Sequence, residues 1–167
     1  KRIEADPEKD YRLTEDCGPW LVMATTFSGD GAEQQAHDLV IELRQRYKIK
    51  AYTHEMTFDF TGTVRGNGID ANGEPIRMRY RNNKRIDEIA VLVGNFPTVD
   101  DSGLQKTLHK IKYLRPHALD PEHRDSTSQT LAAWRTIQRT ILADNEERKK
   151  RGPMAHAFVT RNPMIPE

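Results

Sequence analysis

The stretch IDEIAVLVGNFPT, Ile86 to Thr98, constrains this chain more than any other. Ile89, Val91 and Val93 alternate to one side of an extended segment, and Ala90 and Leu92 alternate to the other. A strand apolar on both faces needs cover on both. PWLVMATTFSG repeats the pattern upstream, with Trp20, Val22 and Ala24 set against Leu21 and Met23. Each strand runs into a small-residue turn carrying a phenylalanine, Phe27 or Phe96, and then into an amphipathic helix. The first helix is expected over about Ala32 to Tyr47, on the spacing of Ala36, Leu39, Val40, Leu43 and Tyr47. The second is expected over about Ser102 to Lys112, on Leu104, Leu108 and Ile111. IKAYTH, Ile49 to His54, supplies another strand. Two such halves around one mostly antiparallel sheet give an α/β (α+β) fold of ferredoxin-like or ribonucleoprotein-like type.

The remaining segments are read as additions to that unit. Residues 1–16 are charged and aperiodic, a linker or docked arm, and residues 17–167 form the single domain. Residues 55–83 read as an inserted β-hairpin: MTFDF alternates, RGNG interrupts, and Asn72-Gly73 is a strong turn signal. After that turn, Arg77, Arg79 and Arg81 alternate with Ile76, Met78 and Tyr80, so one face of the hairpin is basic. YLRPHAL is taken as a closing strand. Residues 124–167 hold a further amphipathic helix, about Thr127 to Leu142, then a stop at Gly152 and a short strand-like tail, HAFVT.

The two halves resemble the SPOR (sporulation-related repeat) domains. WLVMATTFSGDGAEQQAHDLVIELRQRY is similar to their first half and IAVLVGNFPTVDDSGLQKTLHKI to their second. Val91, Val93, Gly94 and Phe96 stand where that family carries a Val-x-Val-Gly-Pro-Phe run. The resemblance implies a non-catalytic domain of a cell-envelope or periplasmic protein, with cell-wall glycan (peptidoglycan) or another envelope protein as partner. It also implies a binding face on the sheet, here Met23, Thr25, Phe27, Ala90, Leu92, Asn95 and Phe96. Met23 stands where the family commonly has Gln, Asn95 where it has Pro, and Ala90 and Leu92 are apolar. A glycan needs hydrogen-bonding groups that bare Met and Leu do not offer. We therefore expect Leu131, Trp134, Ile137 and Ile141 of the last helix, or a partner, to cover Met23 and Leu92.

Charge and motif chemistry narrow the alternatives. The formal net charge of +1 gives no global attraction to nucleic acid or an anionic membrane. Lone Cys17 excludes an internal disulfide, and no apolar run approaches the roughly 20 residues of a membrane span. Beginning at Lys1 and ending in NPMIPE, the chain reads as an excised domain or mature fragment. Arg65, Arg77, Arg79, Arg81, Lys84 and Arg85 form the candidate anion-binding set, for nucleic acid or another polyanion, or an acidic protein in an assembly. Asp59, Asp70, Glu74, Asp87 and Glu88 are near enough in sequence to neutralise part of it. SGDGAEQ with Glu55 is a partial dinucleotide fingerprint that lacks its third glycine, and it reads as a helix start with Asp30 and Glu33 near the dipole. The histidines lack helical zinc spacing, His117 and His123 share a loop with Asp120 and Glu122, and Ser28 lacks an elbow context. Neither cofactor nor metal is expected, and no catalytic residue.

Overall fold

The computed structural model describes residues 3–81, 83–120 and 150–166. Among these residues the order is β1 (Trp20–Ser28), α1 (Ala32–Gln45), β2 (Ala51–Asp59), β3 (Thr63–Ile69), β4 (Pro75–Arg79), β5 (Arg85–Phe96), α2 (Ser102–Tyr113) and β6 (Phe158–Arg161). The main sheet runs β2-β5-β1-β6, every neighbouring pair antiparallel, and β3-β4 forms a separate two-stranded sheet. β5 therefore lies between β1 and β2, and β1 between β5 and β6. Both halves are split β-α-β units, and the chain has the α+β fold that the repeat of strand and helix implies.

α1 and α2 pack on one face of the sheet. Val22, Ala24, Phe27, Val91 and Val93 meet Leu39, Leu43, Leu104 and Ile111 there in one buried cluster. Helical spacing supplies the matching stripe on α1, with Ala36, Leu39, Val40 and Leu43 all buried. α2 starts on an N-cap built by Asp101, whose carboxylate accepts from the amides of Gly103 and Leu104 at 2.7 and 3.1 Å.

The opposite face carries a second cluster, Leu21, Ala90 and Leu92, against which Leu13 and Cys17 of the N-terminal segment pack. That segment lies beside β2: the Thr53 amide donates to the Tyr11 carbonyl at 2.8 Å and the Leu13 amide to the Thr53 carbonyl at 2.9 Å. Arg12 and Thr53 form a parallel bridge. Part of the cover for the second face of β5 thus comes from the charged stretch before the first strand. The helix expected over Thr127 to Leu142, with Leu131, Trp134, Ile137 and Ile141, lies outside the described residues.

Two irregularities decide which side chains share a face. Met23 pairs with Leu92 but Thr25 with Val91, so Ala24 is an extra residue in β1. Trp20 pairs with Phe96 and Val22 with Val93, which places an extra residue in β5 near Gly94, at φ +94°. A bulge shifts the alternation by one. Thr25 consequently shares a face with Val91, and Phe27 and Phe96 pack into the cluster beneath the helices. The single binding face expected from Met23, Thr25, Phe27, Ala90, Leu92, Asn95 and Phe96 is thereby corrected. Of these, Met23, Ala90 and Leu92 belong to the second face, while the alternation that would add Thr25 and Phe27 is broken at Ala24.

Two segment readings change as well. YLRPHAL is no strand: α2 runs through Tyr113, and His117–Leu119 is a 3-10 turn. Its amides are satisfied by the Glu42 carboxylate, which accepts from His117 and Ala118 at 2.9 and 2.8 Å. The outer strand beside β1 is β6, from the HAFVT tail. Residues 55–59 are not part of the separate hairpin, because they continue β2 and pair with β5 from Glu55 opposite Ile89 to Asp59 opposite Arg85.

Candidate functional site: a two-faced hairpin

β2 and β5 lead directly into β3 and β4. The ladder is prolonged by the Phe60 amide, which donates to the Lys84 carbonyl at 3.0 Å. β3 and β4 pair only with each other, and apart from half-buried Gly66 every residue of the two strands is exposed. The connecting loop is held by Asp70. Its carboxylate accepts from the amides of Asn72 and Glu74, and its own amide donates to the Glu74 carbonyl at 2.7 Å. Gly73 takes a φ of +82°, a left-handed conformation that glycine adopts without steric cost.

Arg65 stands directly opposite Arg77, and Thr63 opposite Arg79. Strand alternation puts these four residues on one face of the ribbon. Like charges directly opposite each other are destabilising by up to about 1 kcal/mol. Nothing nearby offsets this, since among the described residues no ion pair joins Arg65, Arg77, Arg79, Arg81 or Lys84, and Arg85 alone has a partner, Asp87 at 3.5 Å. Of the carboxylates expected to neutralise the set, Asp87 pairs with Arg85, while Asp59 and Asp70 accept hydrogen bonds from their own loops. Asp59 accepts from the amide and hydroxyl of Thr61, hydrogen bonds that hold its carboxyl below the usual range. Asp70 holds the loop, and Asp87 accepts from the Thr57 hydroxyl at 2.8 Å.

The opposite face is apolar. Val64 stands opposite Met78, and the Met78 side chain lies so close to Gly66 that a Cβ there would meet its sulfur at 2.6 Å. Ile76 lies against Gly68 in the same way. An aromatic chain follows: Tyr80 meets Phe60 edge-on at 5.1 Å between centroids, and Phe60 stacks with Phe58 at 6.3 Å. Met78 is 53% exposed. Ile69, 70% exposed next to the loop, stands opposite Pro75 and so lies on the arginine side. Sequence reasoning placed the arginines but passed over the apolar side as a site. The signal was the Ile76, Met78, Tyr80 alternation, in a segment with no other element assigned to cover it.

The other candidate sites are placed as follows. Met23, Ala90 and Leu92 sit in the second cluster, where Ala90 and Leu92 have no exposed surface. Asn95 is exposed next to the β5 bulge. In SGDGAEQ the N-cap of α1 is Gly31, in the left-handed region, and no side chain caps the helix. The groove beside it, of about 1130 Å³, is lined by Asp30, Glu33, Glu55, Asp87 and Glu88, with Arg85 as its one cation. That lining repels a pyrophosphate. Among the described residues no group of His, Cys, Asp and Glu has the geometry to hold a metal ion. His117 is in the 3-10 turn, and Glu122 and His123 lie outside the described residues. On the second face, burial raises the Tyr52 phenol to about 12, with the neighbouring Cys17 adding to it. Burial also lowers His54.

No family model, no curated protein and no solved structure matches this chain.

Proposed function

We propose that this chain is a non-catalytic interaction module of a cell-envelope protein, and that it grips an anionic partner with the β3-β4 hairpin. The observation that carries the reading is Arg65 directly opposite Arg77, with Arg79 on the same face and, among the described residues, no carboxylate paired to any of them. An anion lying across such a pair turns a repulsion within the fold into attraction with the partner. The near-zero net charge is compatible with this, because the positive charge is local. The envelope setting is what the resemblance implies. The burial of Ala90 and Leu92 does not favour docking of a neutral glycan on the second sheet face.

Retention on a sulfated polymer matrix tests the reading. The intact chain should elute at a defined salt concentration, and R65Q/R77Q should elute earlier, with a shallower dependence of affinity on salt by about two charges. A chain that passes through unretained at low salt would overturn it.

A further inference from the structure

An anionic polymer accounts for the arginine face and leaves the other face unexplained. Val64, Ile76, Met78, Phe58 and Tyr80 are all exposed, and all lie on or beside the ribbon that carries the arginines. We infer that the hairpin docks on an anionic lipid surface, lying in the plane of the headgroups with its apolar side toward the acyl chains and its arginines among the phosphates. The inference rests on the reading of the hairpin as the contact element and names its partner.

Three features fit this occupant. A membrane interface offers apolar and anionic environments within about 5–10 Å of each other, and amphipathic elements with one apolar and one Lys/Arg-rich face settle there. A two-stranded ribbon presents those two chemistries on opposite sides of one thin layer, and the long arginine side chains can reach phosphates at its own depth. The aromatic chain Phe58, Phe60 and Tyr80 sits where the hairpin joins the β2-β5 ladder, and tyrosine is a residue of headgroup depth, with an apolar ring and a polar tip. Met78, 53% exposed, stands at the middle of the apolar side, between Ile76 and Tyr80. Such docking differs from spanning: among the described residues no helix is long and apolar enough to cross a membrane.

Cosedimentation with phosphatidylcholine vesicles, with and without phosphatidylglycerol, tests the inference beside retention on the sulfated polymer. The intact chain should bind the anionic vesicles and leave the neutral ones. R65Q/R77Q should weaken vesicle binding roughly fivefold per arginine and elute earlier from the polymer as well. I76S/M78S should weaken vesicle binding roughly tenfold or more and keep its polymer retention, which shows that the hairpin is still formed. The single M78S should move in the same direction. Polymer retention without vesicle binding would overturn the lipid inference and leave the anionic-partner reading standing, with a soluble polyanion such as nucleic acid as partner. An intact chain that neither stays on the polymer nor binds the anionic vesicles would overturn both. Equal binding to neutral vesicles, or an I76S/M78S that binds as the intact chain does, would also overturn the lipid inference.

Discussion

The guanidinium carbon of Arg44 lies 3.6 Å from the ring centroid of Tyr11. This contact ties the N-terminal segment to α1, and further bonds reinforce it. Arg44 Nε donates to the Ala51 carbonyl at 2.9 Å, Nη1 donates to the Glu4 carbonyl at 2.9 Å, and the Tyr11 hydroxyl accepts from the Asp6 amide at 2.8 Å. Arg44 is 5% exposed, so its charge is balanced by carbonyl dipoles and by the faces of Tyr11 and Tyr52. A charged, aperiodic stretch is thus held in place by one buried cation.

Arg44→Met keeps the aliphatic bulk and removes the donors. It should destabilise the domain by about 2–3 kcal/mol in urea unfolding, because charged hydrogen bonds are lost and the Ala51 carbonyl is left buried. Limited proteolysis should then cut within residues 3–17. An arm that stays protected in this variant would show that Leu13 and Cys17 suffice to hold it.

Gly94 marks the β5 bulge that turns Phe96 toward the helices. A Cβ at this position would meet the Phe96 ring at 2.1 Å on a backbone with φ +94°. Gly94→Ala should cost about 2–3 kcal/mol in thermal unfolding, from strain and clash together. Gly29→Ala, at φ +83° with open space around it, isolates the strain and should cost about 1 kcal/mol. Equal losses at the two sites would argue against close packing of Phe96 on the bulge.

Asp101→Ala removes the acceptor for two amides at the start of α2. The expected loss is about 1 kcal/mol, recovered in large part by Asp101→Asn or Asp101→Ser. Urea midpoints of the three variants decide it.

Alkali should weaken the second-face cluster through Tyr52. Its phenol titrates near 10 when unfolded and at about 12 when folded, so the folded state holds the proton more tightly. The stability this contributes is complete below pH 10 and is lost as pH rises from 10 through about 12. His54 has the opposite sign. Its folded value is depressed, so its contribution is present above 6.5 and lost as pH falls through the folded value. Tyr52→Phe should flatten the alkaline limb of a stability-pH profile and leave the acid limb unchanged. A profile unaltered at high pH would place Tyr52 in water.

Much of the framework was legible in the chain itself. The two doubly apolar strands, the 3.6-residue stripe of Ala36, Leu39, Val40 and Leu43, and the Asn72-Gly73 turn each carry a local physical signal, and each element forms near its expected bounds. The alternation of arginines with Ile76 and Met78 was equally plain, because strand geometry converts alternation into two faces with no help from the rest of the fold.

What only the tertiary structure decided follows from interactions remote in sequence. Tyr11, Leu13 and Cys17 are isolated apolar residues among charges, with no period to announce them, and they are buried because Thr53 offers backbone partners and Arg44 a cation for Tyr11. The facing of Thr25, Phe27 and Phe96 depended on bulges at Ala24 and near Gly94, and pairing between strands far apart in the chain set both. A one-residue shift reverses every side chain beyond it, so the alternation that named the elements could not by itself name the faces. The pairing on the hairpin was decided in the same way: Asp59 and Asp70 are drawn into bonds within their own loops, and Asp87 pairs with Arg85 rather than with the arginines of the ribbon.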